Sequence, residues 1–358
     1  MLPTFLSRFR SGVRDCGDGA PARGIRRGTR IAALISVLIA APLASGPACC
    51  ASIGEPAPQR PLPSIFESLD PDLQQGLKDV IAAHELGSAV ASGRLAVAVA
   101  DITDLDHPRV AHLNGNLMLY SASLPKIAIL LGAFQRSERD DIPIDAALEA
   151  DLVQMIRYSS NAAATRVLDW VGRERLIEIL ESPGIALYDP AHDGGLWVGK
   201  PYGPERAYRR DPLHGISHGA TALQVVRFYY LLEAGRLADA DDTRRMKTIL
   251  SEPGIVHKFV KGLDERPDLR IYRKSGTWRS FHSDSALVES RDGRFILVGL
   301  SADPQGGRWL EQLAVPLYEL AAAPRRRDRA AACGDASGAH RAVEPAPCAT
   351  ASSVKEGS

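Results

Sequence analysis

Cysteine is missing from the whole interior of this sequence: the five present, Cys16, Cys49, Cys50, Cys333 and Cys348, leave residues 51–332 without one. No thiol nucleophile and no thiolate-bound metal is therefore available there. A disulfide between Cys333 and Cys348 would suit an oxidising compartment, in a stretch that needs none. Excess charge of one sign is missing too. Lys and Arg together number 43 and Asp and Glu 43, so no overall field draws the chain to nucleic acid or to an anionic surface. Zinc-finger spacings, the Walker glycine loop and the dinucleotide fingerprint are also absent. No nucleic-acid partner, no metal and no organic cofactor is expected.

One apolar run stands out near the start, Ile31–Ala44, preceded by Arg8, Arg10, Arg14, Arg23, Arg26, Arg27 and Arg30. At about fourteen residues it is short for a bilayer span and suits the core of an export signal. Cleavage after Ala48 or Ala51 fits the small-x-small rule. Soluble secretion or periplasmic export is the first reading. Lipid anchoring at Cys49 or Cys50 is the second, because Gly46-Pro47-Ala48 is a poor lipobox, and an uncleaved anchor helix is the third. Residues 1–51 are thus read as a signal region and 52–62, rich in proline, as a linker. Residues 63–321 form one globular unit, expected to be monomeric. From Ala322 the chain turns to Arg325-Arg326-Arg327 and then to Ala, Gly and Pro, and 322–358 is read as a disordered tail.

Periodicity within the globular unit predicts helices at Asp70–Ser88, Leu124–Arg136, Ala146–Tyr158, Ala162–Val171, Thr221–Ala234 and Trp309–Leu320. It predicts strands at Leu95–Ile102, Arg109–Tyr120, Leu269–Lys274, Ser283–Ser290 and Arg294–Ser301. Strands at both ends with helices between give an α+β class: an antiparallel sheet flanked by helices, plus a mostly helical lobe. A cleft between the two is a natural place for a site.

Three short patterns carry the chemistry: Ser123-Leu-Pro-Lys126, Ser159-Ser-Asn161 and Lys274-Ser-Gly276. A serine hydroxyl needs a base within hydrogen-bond reach. Lys126 lies one helical turn beyond Ser123, and burial would push its ammonium towards the neutral form. Pro125 fits a first helical turn. Ser159 and Asn161 occupy a corner between helices, Ser159 placed to relay a proton and the Asn161 amide to bind substrate or to fix Lys126. Lys274, Ser275, Gly276 and Thr277 lie on a strand. The N–H groups of Ser123 and Thr277 would make an oxyanion hole, and Lys274, Thr277 and Arg279 would hold a carboxylate. Each residue alone has a plainer reading: Ser123 or Asn161 as a helix cap, Lys126 and Lys274 as solvated charges. His192, His214 and His218 read as loop or surface histidines, and Trp197 and Trp278 as core or cleft wall. The serine–lysine pattern recurs at Ser352-Ser-Val-Lys355, so order, spacing and context carry the argument, not any single match.

Together the three patterns resemble the penicillin-binding-protein and serine β-lactamase superfamily, most closely its class A β-lactamase-like branch, over about residues 66–320. The resemblance implies a β-lactamase/transpeptidase-like fold. It implies catalytic roles for Ser123, Lys126 and Ser159, and substrate binding by Asn161, Lys274, Ser275, Gly276 and Thr277. Two features depart from that branch. Only 36 residues separate Ser123 from Ser159, fewer than is typical. The Glu-x-x-Leu-Asn motif that directs water onto the acyl-enzyme is absent, with Asp193, Glu205, Asp211 and His192 as candidate substitutes. The expected function is a serine hydrolase acting through an acyl-enzyme on β-lactam amides. A peptidoglycan D,D-peptidase or transpeptidase acting on D-Ala-D-Ala ends is the alternative, with an esterase beside it. A slowly acylating or non-catalytic module that binds wall fragments is the third reading.

Overall fold

A computed structural model describes residues 60–324. They fall in one of two contact units, Arg60–Ser358, whereas the other, Met1–Gln59, lies outside the described residues. The signal region, nearly all of the linker, every cysteine and the tail beyond Pro324 are therefore outside the described residues. Among these residues no helix is long and apolar enough to cross a membrane.

In chain order the elements begin with α1 (Pro71–Ala83), α2 (Gly87–Ala91), β1 (Leu95–Asp101), β2 (Arg109–Leu113) and β3 (Leu119–Tyr120). A helical stretch follows: α3 (Lys126–Asp140), α4 (Ala146–Arg157), α5 (Asn161–Val171) and α6 (Arg173–Glu181). Four short strands come next, β4 (Tyr188–Asp189), β5 (Gly194–Gly195), β6 (Trp197–Val198) and β7 (His218–Ala220). The rest is α7 (Ala222–Glu233), α8 (Ala240–Leu250), α9 (Phe259–Gly262), β8 (Arg270–Trp278), β9 (Phe281–Ser290), β10 (Gly293–Ala302) and α10 (Gly306–Ala322). The main sheet runs β2-β1-β10-β9-β8, each pair antiparallel.

Strict alternation in β1 gives the sheet two buried faces. Leu95, Val97 and Val99 pack with residues of α1 and α10, whereas Ala96, Ala98 and Ala100 join the core of the helical lobe. Small alanines on that side let the lobe's helices lie close. At its centre is α3, buried from Lys126 through Gln135, as expected of a helix apolar all round. Gly132 allows the approach, since a Cβ there would lie 2.9 Å from side chains of both Val171 and Leu176. Side chains of Asp70, Asp145, Ser160, Thr221 and Asp239 cap α1, α4, α5, α7 and α8.

Several expectations change. The single helix expected over Asp70–Ser88 ends at Ala83, and α2 begins afresh at Gly87. The single strand over Arg109–Tyr120 is two, because Asn114 takes a left-handed φ of 56° and its amide donates to Val90 O and Leu95 O at 2.7 and 2.9 Å. That turn sends β2 to the main sheet and β3 to β7. Helices α6, α8 and α9 were not expected at all. Strand β8 runs on to Trp278, so the whole Lys274–Thr277 pattern lies on one edge strand.

Beneath β8, Arg273 and Asp284 form a fully buried two-pronged ion pair at 2.7 and 2.9 Å. Asp284 also accepts from the N–H groups of Phe259 and Ser285, and Arg273 donates to Ile255 O and His257 O. Removing one partner strands a buried charge. Asp284→Ala is expected to cost about 3–5 kcal/mol, read as a lower denaturant midpoint at unchanged slope. A loss under 1 kcal/mol would show that water reaches this pair.

Candidate active site

Ser123 sits on the turn joining β3 to α3. Leu124 N–H donates to Ser121 O at 3.0 Å and Lys126 N–H to Ser123 O at 3.3 Å, and Ala122 has a left-handed φ of 50°. Edge strand β8 lies hard against this turn. A Cβ on Gly276 would stand 2.2 Å from Ser121 O and 2.6 Å from Ser123 N, so only glycine permits the contact. The Ser283 hydroxyl donates to Ser121 O at 2.8 Å and ties the turn to the sheet.

Lys126 is fully buried. Its ammonium donates to Ser159 O at 2.6 Å and Asn161 Oδ1 at 2.8 Å, with Ser160 O and Ser159 Oγ further off at 3.4 and 3.5 Å. Burial pulls its pKa down to about 7. The sequence argument aimed this lysine at Ser123. Among the described residues, however, no hydrogen bond reaches the Ser123 hydroxyl. The corner explains this: Ser159 holds a left-handed φ of 58°, and its carbonyl serves Lys126 from within a few ångströms. Ser160, not Asn161, caps α5, which leaves the Asn161 amide free to fix the lysine.

Lys274 approaches the same corner from the sheet. Its ammonium donates to Ser159 Oγ at 3.1 Å and Ser275 O at 2.7 Å. Burial, then the positive charges of Lys126 and Arg273, hold its pKa well below the ordinary lysine value. The Ser159 hydroxyl thus lies between two buried lysines.

Ser275 and Thr277, expected to bind substrate, have hydroxyls that already hold partners within the protein, although Thr277 lines the cleft. Ser275 Oγ lies 3.0 Å from His257 Nε2, and Thr277 Oγ1 accepts from Lys258 Nζ at 2.8 Å. Lys258 also donates to Gly276 O at 2.6 Å and Ser283 O at 3.0 Å, so its three donors are all used. A trans peptide points its carbonyl and the following N–H in opposite directions. Holding Gly276 O on Lys258 therefore turns the Thr277 N–H away from Lys258. Burial lowers Lys258 to about 8 and His257 to about 4.

A cleft of about 410 Å³ opens over Ser123, walled by Tyr120, Asn161, Tyr202, His218, Thr277 and Trp278. Tyr202 is placed by its N–H to Thr165 Oγ1 at 3.1 Å and its hydroxyl to Ala122 O at 3.3 Å. Its ring stands 4.5 Å from Lys126 Nζ and 4.3 Å from the His218 ring. His218, read from sequence as a loop or surface residue, is buried in the cleft wall, where burial lowers it to about 4 and keeps it neutral. The four substitutes for the missing glutamate all lie elsewhere. Asp211 binds the Tyr188 hydroxyl and the His214 N–H, and Asp193 meets His214 at 3.1 Å. Glu205 reaches Arg173 at 3.4 Å, and the His192 ring stacks on Phe66 at 3.6 Å. No carboxylate lines the cleft among the described residues. Sequence reasoning missed Tyr202, His257 and Lys258. Only the prolines flanking Pro201-Tyr-Gly-Pro204 hinted at a stiff segment.

An antiparallel sheet beside a helical lobe, with a serine at the start of the lobe's central helix and a lysine on the facing edge strand, defines the β-lactamase and penicillin-binding-protein class of fold. Residues 147–321 match the family model described as the beta-lactamase enzyme family, a span that takes in Ser159, Asn161 and Lys274. No curated protein matches the chain. Similar solved structures include a β-lactamase from Sphaerobacter thermophilus, 15% identical, covering 69% of this chain and 95% of its own, with a TM-score of 0.54. The protein PBP-A is 15% identical over 72% of this chain and 98% of its own, with a TM-score of 0.52. A β-lactamase representative from Bacteroides cellulosilyticus is 14% identical over 69% and 98%, with a TM-score of 0.52. At such identities the likeness is one of fold.

Proposed function

We propose that this chain is a serine hydrolase that opens β-lactam amides through an acyl-enzyme on Ser123. The observation that carries the reading is the convergence of Ser123, Lys126, Ser159, Asn161 and Lys274 from three separate elements. In the reaction Ser123 Oγ attacks the lactam carbonyl and the C–N bond breaks. Lys126, as neutral amine, takes the hydroxyl proton. Ser159 gives its hydroxyl proton to the leaving nitrogen and regains one from the Lys126 ammonium, 3.5 Å away, which returns Lys126 to the neutral amine. The N–H groups of Ser123 and Thr277 receive the oxyanion, the second turned towards the cleft by the grip of Lys258 on the same peptide. Lys274 offers positive charge to the substrate carboxylate.

With no carboxylate in the cleft and Tyr202 over Lys126, activation of the deacylating water falls to the lysine itself. That observation favours a second reading, a D,D-peptidase or transpeptidase that uses the same acylation. Export to the periplasm or beyond, read from residues 1–51, fits either substrate.

Gly276→Ala is expected to slow acylation by about 10²-fold, because a methyl between Ser121 O and Ser123 N forces the two oxyanion donors apart. Acylation rate and Tm, measured together, separate this from simple unfolding. The function itself is tested by mixing the full chain with a chromogenic cephalosporin and following colour and intact mass. An adduct of one lactam per chain that forms quickly and decays slowly is expected. An absent adduct, with cleavage of an acyl-D-Ala-D-Ala peptide intact, would sink the lactam reading and leave the peptidase.

A further inference from the structure

A second hollow, of about 750 Å³, adjoins the Ser123 cleft and shares Tyr120, Lys200 and Trp278 with it. The loop between β6 and β7 supplies much of its wall, including Glu205, Arg206 and Arg210. Lys200, Arg206 and Arg210 form no ion pair among the described residues. Lys200 Nζ donates to Gly203 O at 2.8 Å and Arg210 to Gly215 O at 2.9 Å, so both keep further donors. Glu205, the one carboxylate in the lining, is bound to Arg173. The hollow therefore presents three cations with its only anion already engaged. Trp278, 55% exposed, stands between the two spaces as a broad apolar wall, beside the edge-to-face pair of Tyr120 and Phe281.

The order of contacts along β8 indicates which part of a substrate enters. Lys274 reaches Ser159, Gly276 abuts Ser123, and Trp278, two residues further along the strand, borders the hollow, which Ser159 does not line. The leaving nitrogen has to come within reach of Ser159, at the Lys274 end of this row. Whatever occupies it belongs to the arm that stays on Ser123 after the bond breaks.

We propose that this hollow is a subsite for the anionic end of the acyl arm, so that the preferred substrates are acyl donors whose arm ends in a carboxylate. The inference rests on the acyl-enzyme reading and adds a substrate class to it. Guanidinium groups suit a carboxylate because their forked donors match its two oxygens. Single exposed pairs contribute little, but like charges gathered in a cleft act together, on encounter as well as on affinity.

The test uses two cephalosporins with the same nucleus, one with a glutaryl arm and one with the methyl ester of that arm. With the full chain, acylation is expected to be about tenfold faster for the free acid at low salt. The ratio should fall as salt shortens the screening length to about 8 Å and below. In the Arg206→Gln/Arg210→Gln variant the ratio should approach one. Equilibrium binding of both compounds to Ser123→Ala, by calorimetry, reads the same subsite without any chemistry. A preference for the acid there, lost in the arginine variant, supports the subsite even where acylation fails, and that failure counts against the Ser123 reading alone. Equal binding of acid and ester, or a preference that the arginine variant retains, overturns the subsite.

Discussion

Ser123→Ala is expected to leave the chain folded, to abolish the covalent adduct, and to lower β-lactam opening by about 10³-fold or more. In the proposed mechanism loss of the nucleophile cannot be made good by its neighbours, because each of them acts through it: Lys126 removes its proton, Ser159 forwards one to the product nitrogen, and the two N–H groups receive charge that its attack creates. The fold should hardly notice. Ser123 makes no side-chain hydrogen bond among the described residues, and its hydroxyl caps nothing in α3. Intact mass and Tm on the same sample decide the matter. An adduct that persists in the variant would move the nucleophile elsewhere, with Ser159 the first place to look.

Lys126→Met is expected to cost about 10²–10⁴ in acylation rate and to erase its dependence on pH near neutrality. In the intact protein burial brings Lys126 to about 7, while the oxygens of Ser159 and Asn161 hold on to its proton. With the neutral amine as the proposed base, acylation is expected to rise as pH climbs through about 7 and then to level off. Stability carries the same signature with a definite sign. The unfolded lysine keeps its proton up to its ordinary value of 10.5, whereas the folded one releases it from about 7. Between those values the unfolded state binds more protons, so the folded state gains stability as pH rises, up to 10.5. The methionine variant should lack that gain. A wild-type acylation rate that stays flat from pH 6 to 9 would assign the base to another group, Lys274 being the nearest in chemistry.

What could be read in advance divides by the range of the interactions. Ser123, Lys126, Asn161 and Lys274 were legible because their spacing is local and their order along the chain is distinctive. The burial of α3 was legible in KIAILLGAF, and the two-faced β1 in LAVAVA. Polar helices were not. In α8, ADDTRRMKTIL, only Met246, Ile249 and Leu250 are buried, too thin a stripe to stand out from the charged residues around it. The break at Asn114 was invisible because it depends on carbonyls of Val90 and Leu95, which only the fold brings near. Lys258 is the sharpest case. One lysine among many in the sequence, it is buried behind β8 and holds three oxygens from two strands. Of the groups that hold Lys126, Asn161 was legible and the Ser159 carbonyl was not, because helical spacing gives the face a side chain leaves from, not every acceptor that captures its end.

If Tyr202 over Lys126 slows deacylation as proposed, the amount of protein takes on a different meaning. An enzyme that sheds its product quickly clears substrate out of proportion to its own copies. A chain whose acylated form persists behaves as a titrant, taking up one β-lactam per molecule and protecting its surroundings only as far as supply allows. Protection should then rise linearly with the number of chains and saturate sharply at equivalence. Abundance, more than turnover, would be the quantity on which selection acts.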